Sequence, residues 1–161
     1  MSSTTIQRVN YHNKIHAAAL MRLLNRYAED PMGGASPLGD EANQYLIDRL
    51  KKFSGAISLL AYQADQAVGL LNAFIGFSTF KAKPLINIHD LTVIASHRGQ
   101  GIAQQLLHEC EVIAKEKGCC KMTLEVLEAN DIAKKSYRQF GFYSYTLDEQ
   151  YGSAEFWEKP L

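Results

Sequence analysis

The sequence predicts a mixed α/β (α+β) domain: a mostly antiparallel sheet with one central β-α-β crossover and helices on both faces. Three observations predict it. The chain has 161 residues, 47% hydrophobic and 21% charged, which suits one domain, residues 1–161, with a real core. Apolar residues switch between strand-like runs and a 3.6-residue period in the order β-α-α-β-β-β-α-β-α-β-β. Glycine, proline and aspartate punctuate the switches.

The elements follow in chain order. Ile6 to Val9 is a short strand. Ile15, Ala19, Leu23 and Tyr27 recur every four residues, beside Leu20 and Leu24, and form a helix that ends before Asp30-Pro31-Met32-Gly33-Gly34. Asp40 is expected to cap a second helix with the face Ala42, Leu46, Leu50 and Phe53. Ala56 to Tyr62 and Ala67 to Ser78 read as paired strands, with Gly69 and Gly76 as bends or bulges. Leu85 to Ile94 is a third strand, with Pro84 just outside it. Ile102 to Lys117 is the clearest helix: Ala103, Leu106, Leu107, Cys110, Ile113 and Ala114 form one stripe, and Gly118 suits a left-handed stop. Lys121 to Leu127 is a strand. Asn130 caps a short helix closed by Gly141, and Phe142 to Leu147 and Ala154 to Glu158 are expected as two final strands.

Seventeen basic and seventeen acidic side chains leave no net charge, so no overall field draws the chain to nucleic acid or an anionic membrane. No apolar run is long enough to span a bilayer, and the polar start Met1-Ser2-Ser3-Thr4-Thr5 has no secretion signal. Cys110, Cys119 and Cys120 offer neither a disulfide framework nor zinc spacing, so the expectation is a cytoplasmic protein with reduced thiols and no metal. His12 and His16, four apart, read as surface histidines.

Chemistry concentrates in Thr92 to Ala103. A strand runs into a turn holding Gly99 and Gly101, and a helix follows. The first N–H groups of a helix lack internal partners and sit at its positive end. With glycines that allow close approach, and with Arg98 beside them, this is a recipe for a phosphate or pyrophosphate. It is not a P-loop, because Gly101 is followed by Ile102-Ala103. It is not a dinucleotide fingerprint either, because Gln104 takes the last glycine position and too little chain remains for a second half.

Arg98-Gly99-Gln100-Gly101-Ile102-Ala103 resembles the Arg/Gln-x-x-Gly-x-Gly/Ala motif of the GCN5-related N-acetyltransferase (GNAT) family. Downstream, Asn130 to Phe142 is similar to that family's Asn-x-x-Ala-x-x-x-Tyr-x-x-x-Gly-Phe segment, in the right order, and the element order fits across nearly the whole chain. The resemblance implies acetyl-CoA as co-substrate, held in a wedge where the strands Leu85–Ile94 and Lys121–Leu127 splay. Backbone groups of Leu91, Thr92 and Val93 would pair with the pantetheine arm, and Arg98 with the N–H groups of Gly99, Gln100, Gly101, Ile102, Ala103 and Gln104 would hold the pyrophosphate. Asn130, with Ala133 of the same segment, would contact the pantetheine, and Tyr137 would sit near the thioester sulfur as general acid. The resemblance admits a homodimer.

Acyl transfer to an amine needs proton removal. An alkylammonium of pKa near 10.4 is only about one part in 2,500 neutral at pH 7, a cost of roughly 4–5 kcal/mol. The base candidates are His89, Asp90 and Glu125. Histidine as a residue type suits neutral pH, whereas an ordinary carboxylate is a weak base, so His89 is the first choice, Asp90 the second, and Glu125 or bulk water the competing possibility. His89 and Asp90 point to opposite faces unless a bulge intervenes. The polyamine-acetylating branch, which the chain resembles around Asn87 to Val93, usually has glutamate at the place of His89. The expected acceptor is a small-molecule amine (a polyamine, amino acid or aminoglycoside-like compound), approached through the acidic loop Glu29 to Gly34 and the aromatics Phe74, Phe77 and Phe80. A protein lysine or N-terminal acetyltransferase, or a non-catalytic CoA-binding module, are the alternatives.

Overall fold

The computed structural model describes residues 3–161; Met1 and Ser2, at the polar start of the chain, lie outside the described residues. The chain forms two compact units, Met1–Leu124 and Glu125–Leu161.

The first unit holds a five-stranded sheet in sequential order: β1 (Thr4–Arg8), β2 (Ala56–Gln63), β3 (Gln66–Ser78), β4 (Lys83–Val93) and β5 (Met122–Leu124). All neighbours are antiparallel except β4 and β5, which are parallel. Parallel neighbours need a crossover, and the helix Ile102–Glu116 supplies it. Numbered along the chain it is α3, after α1 (Lys14–Glu29) and α2 (Asp40–Lys52).

Alternation along the strands sorts the helices onto two faces. Leu60 and Leu70 pack with Ala19, Leu20, Leu23 and Leu24 of α1 and Leu50 of α2. The adjacent positions, Ala61 and Gly69, meet α3: a Cβ on Gly69 would lie 3.1 Å from Leu106 and 3.2 Å from Ile102. Gly69 is therefore a point of close helix approach, and the bulge lies beside it, where Val68 is left over between the pairs Ala61↔Gly69 and Tyr62↔Ala67. Gly76 sits in regular pairing opposite Leu85.

Local chemistry explains the helix ends. Asn13 caps α1, its side chain accepting from the N–H groups of Ile15 and His16. The N-cap of α2 is Gly39, not Asp40, which instead joins Glu41 in the first turn where negative charge suits the dipole. Ile15 is exposed, because the buried stripe of α1 begins one turn later at Ala19. The stripe on α3 buries as expected from Leu106 to Ala114, with Ile102 joining it. Pro84 lies inside β4. Its carbonyl accepts from the N–H of Cys120, and its missing donor faces the side where β5 has not yet begun.

Ala64 turns the β2–β3 hairpin at φ 49°, a left-handed conformation that costs a residue with a Cβ. Ala64→Gly is expected to raise stability by about 0.5–1 kcal/mol, read as a higher denaturant midpoint at unchanged slope.

In the second unit Asn130 caps α4 (Asp131–Phe140), accepting from the N–H of Ala133 at 3.1 Å. Gly141, at φ 112°, ends it by donating back to Tyr137 and Arg138. The two strands expected after it are not strands: among the described residues one bridge, Thr146↔Ser153, pairs this stretch. Aromatic content gave those segments strand propensity, but a ladder needs a neighbouring strand and not propensity alone. The strand expected over Lys121 to Leu127 is likewise only Met122–Leu124. Among the described residues no helix is long and apolar enough to cross a membrane.

Candidate active site

The site begins with a bulge in β4. Pairing with β3 runs from Lys83 to Ile88, opposite Ala73, and resumes at Asp90, opposite Asn72. His89 is the extra residue, so the parity that would send His89 and Asp90 to opposite faces is broken. Asn72 lies between Leu70 and Phe74 on the face that α1 covers, and its partner Asp90 shares that face. His89 sits edge-on to Phe74, ring centroids 4.9 Å apart. Two of the three sequence candidates, His89 and Asp90, therefore converge on one side of the sheet.

Asn72 donates through Nδ2 to Oδ2 of Asp90 at 2.9 Å. Burial pushes the Asp90 carboxyl above the usual carboxylate range, and the Asn72 bond and the His89 charge pull it part of the way back. Behind Asn72, Ser58 Oγ bonds its Oδ1 at 2.6 Å, and Tyr11 Oη lies 2.9 Å from that hydroxyl. The Tyr27 phenol of α1 is raised by its own burial and by the carboxylates of Asp90 and Asp30.

Among the described residues, one edge of β4 is unpaired just beyond the bulge. Its pairing with β5 ends at Ile88↔Leu124. The N–H of Ile94 donates to Val68 on the β3 side, so alternation turns the backbone groups of Leu91 and Val93 toward the side that β5 has left. The chain then makes a short 3₁₀ turn, Ala95–His97, and passes Gly99 and Gly101, at φ 76° and 77°, into α3. A Cβ at either glycine would point into open space, so the approach to the helix N-terminus is clear. An open strand edge leading to a bare helix N-terminus suits an extended arm that ends in a pyrophosphate. Surface hollows of about 390 Å3 beside Arg8 and about 450 Å3 beside His16 touch neither feature.

The model of the acetyltransferase (GNAT) family matches residues 17–142. The chain belongs to the GNAT family. Among curated relatives, an aminoglycoside N(6')-acetyltransferase type 1 of Acinetobacter haemolyticus is 31% identical over 90 residues, 54% of this chain and 62% of that protein. A thialysine N-epsilon-acetyltransferase of Bos taurus is 31% identical over 87 residues, 54% of this chain and 51% of that one. The chain thus spans between half and two thirds of the length of these two relatives. Among solved structures, AAC(6')-Iy with a bisubstrate analog is similar at TM-score 0.79 and 20% identity, covering 99% of this chain and 100% of that one. An integron cassette protein of V. cholerae gives TM-score 0.78 at 24% identity, over 98% and 93% of the two chains. At these identities the structures show a shared fold: a mixed sheet, mostly antiparallel, with helices on both faces.

Within the GNAT motif the side chains have partners of their own. Arg98 donates through Nε to the Val93 carbonyl at 3.0 Å and through Nη2 to Asp30 at 3.1 Å, fastening the loop after α1 to the end of β4. The bond from Arg98, after that from the Met32 N–H, holds Asp30 below the usual carboxylate range. The carboxamide of Gln100 accepts from Gln63. Ile102 is buried under Gly69, which leaves only its backbone for a ligand. Ala103 and Gln104 continue the first turn of α3. Thr92 pairs with Leu70, on the Asp90 face. In the second unit Asn130, Ala133 and Tyr137 share α4 and its cap, and the Tyr137 ring packs edge-on to Phe142 at 5.9 Å. Glu125 begins that unit and is exposed. Phe77 and Phe80 are exposed, while Phe74 packs between His89 and Phe53.

Sequence reasoning missed Tyr11, Ser58, Asn72 and Tyr27. The available signal was a serine and an asparagine inside otherwise apolar strands, each at 5% exposure or less. Polar groups so placed require partners.

Proposed function

We propose that the chain transfers the acetyl group of acetyl-CoA to a primary amine of a small cationic molecule, of the aminoglycoside or lysine-analogue type named for its relatives. The observation that carries this is the β4 bulge, which sets a half-buried carboxylate on the acceptor face one residue before an open strand edge. The GNAT motif and the clear approach to α3 fit the CoA moiety, whose thioester supplies the activated acetyl group. Leu91 would pair with the pantetheine, and the backbone from Gly99 to Gln104 would hold the pyrophosphate. The Val93 N–H is suited to bonding the acyl oxygen.

In this reading Asp90 binds the ammonium and takes its proton. Burial brings the carboxyl closer to a working base than its ordinary pKa allows, and His89 beside it can pass the proton to solvent. For Asn130 as a pantetheine contact and Tyr137 as acid for the leaving thiolate, the Asn130–Phe142 segment is the support. Residues 1–161 act as one catalytic domain in this proposal. A reducing, cytoplasmic setting accords with the three free cysteines, of which the buried Cys110 thiol is pushed up to about 12.

The test is thiol release from acetyl-CoA across a panel: aminoglycosides, polyamines, thialysine, streptothricin and a lysine peptide. Turnover with one of the small amines, and little with the peptide, is the expected result. Binding of acetyl-CoA by thermal shift without thiol release from any acceptor would leave a binding module and refute the enzyme.

A further inference from the structure

We infer that Tyr11, Ser58 and Asn72 are positioning residues that hold Asp90 in one orientation and favour its ionised form through a one-way chain of hydrogen bonds. The inference rests on the reading of Asp90 as the group that binds the amine and takes its proton.

The direction follows from what each group can give. An ionised carboxylate only accepts, so Asn72 must turn its amide NH2 toward Asp90, as it does at 2.9 Å. Its carbonyl oxygen is then turned the other way and accepts from Ser58 Oγ at 2.6 Å. Serine has one hydroxyl hydrogen, now committed to Asn72. The 2.9 Å contact between Tyr11 Oη and Ser58 Oγ must therefore have tyrosine as donor. Every proton in the chain is aimed at Asp90.

The chain crosses the sheet. It starts at Tyr11, in the connection between β1 and α1, and passes from β2 through β3 to β4. Ser58 is 4% exposed and Asn72 5%, so water does not compete with its middle links. Aligned dipoles polarise one another, and each strengthens the bond to the carboxylate. An amide cannot hand a proton along while keeping both of its bonds, so this chain is no exit route. It holds Oδ2 of Asp90, leaves Oδ1 for the acceptor, and leaves proton release to the exposed side where His89 stands. The apolar neighbours on the same face, Ala56 and Leu60 around Ser58 and Leu70 and Phe74 around Asn72, show how readily that core is filled without polar groups.

The groups facing Asp90 are His89 on its own strand, Tyr27 from α1 with Asp30 beyond it, and Asn72 from β3. Substitutions at Ser58 and Asn72 leave every titratable one of these in place. The experiment follows the Asp90 carboxyl by carbon-13 NMR in the full chain labelled at aspartate, assigned with Asp90→Asn. It is paired with the acidic limb of kcat/KM.

Removing the direct donor in Asn72→Leu should raise the Asp90 midpoint by about one pH unit or more. Ser58→Ala should raise it by roughly half a unit, and Tyr11→Phe by a few tenths, since each acts only by polarising the next bond. Ser58→Thr, which keeps the hydroxyl, should stay near wild type. If Asn72→Leu does not fold, Ser58→Ala and Tyr11→Phe decide. A midpoint unmoved in both folded variants overturns the inference. If the NMR midpoint moves and the kinetic limb stays, the chain of bonds stands and the assignment of Asp90 as base falls.

Discussion

Asp90→Asn is expected to lower kcat/KM by roughly 100-fold or more at neutral pH and, in the same protein, to raise the melting temperature. The two effects share one cause. Burial lifts the folded-state pKa of Asp90 above its unfolded value. Such a group favours the fold when protonated: that contribution is complete below the unfolded pKa and is lost as pH rises through the folded one. Asparagine imitates the protonated form and can still accept from Asn72, so the gain in melting temperature should appear at neutral pH and vanish in acid. The rate has the opposite sign. It needs the ionised form, so the wild-type acidic limb should lie above the ordinary carboxylate range and be absent from the variant. His89→Gln is the comparison. If that variant carries the loss and Asp90→Asn shows only a raised KM, His89 is the base and Asp90 merely holds the ammonium.

Gly101→Asp should weaken CoA binding by roughly 100-fold or more, the order expected when a negative charge is set against a bound phosphate. Gly101 has φ 77° and its missing Cβ faces open space at the N-terminus of α3. An aspartate there adds backbone strain and directs a carboxylate to where the pyrophosphate would lie. Thermal shift with acetyl-CoA reads it: wild type is stabilised by about 2.7 kcal/mol at a hundredfold excess over Kd, and the variant at the same concentration by about 0.4 kcal/mol or less. Gly101→Ala separates strain from charge, since it carries only the first. Wild-type CoA affinity in Gly101→Asp would place the pyrophosphate elsewhere.

Much of the fold was legible because its signals are local. The stripe on α3, the cap at Asn130 and the glycine turn before Ile102 each declare themselves within a few residues. The β4 bulge was foreseen only as a condition, because a strand's parity depends on the register of the strand beside it, and no residue in Ile88-His89-Asp90 announces the slip. The network behind Asp90 was invisible for a related reason. Tyr11, Ser58, Asn72 and Asp90 are far apart in the chain and meet only through the pairing of four segments. The two missing C-terminal strands show the converse, since Tyr143, Tyr145 and Trp157 have the composition of a sheet without its neighbours.

The open stretch of β4 also bears on solubility. An unpaired strand edge is adhesive: it offers its N–H and carbonyl groups to any extended chain, including another copy of the same protein. Natural sheets guard such edges with bulges and with positive charge, and here both stand at one place. The bulge at His89 bends the strand just ahead of the opening, and Arg98 covers the Val93 carbonyl with its guanidinium at 3.0 Å. The arginine expected to meet phosphate thus also takes up the Val93 carbonyl, one of the groups by which a stray strand could attach.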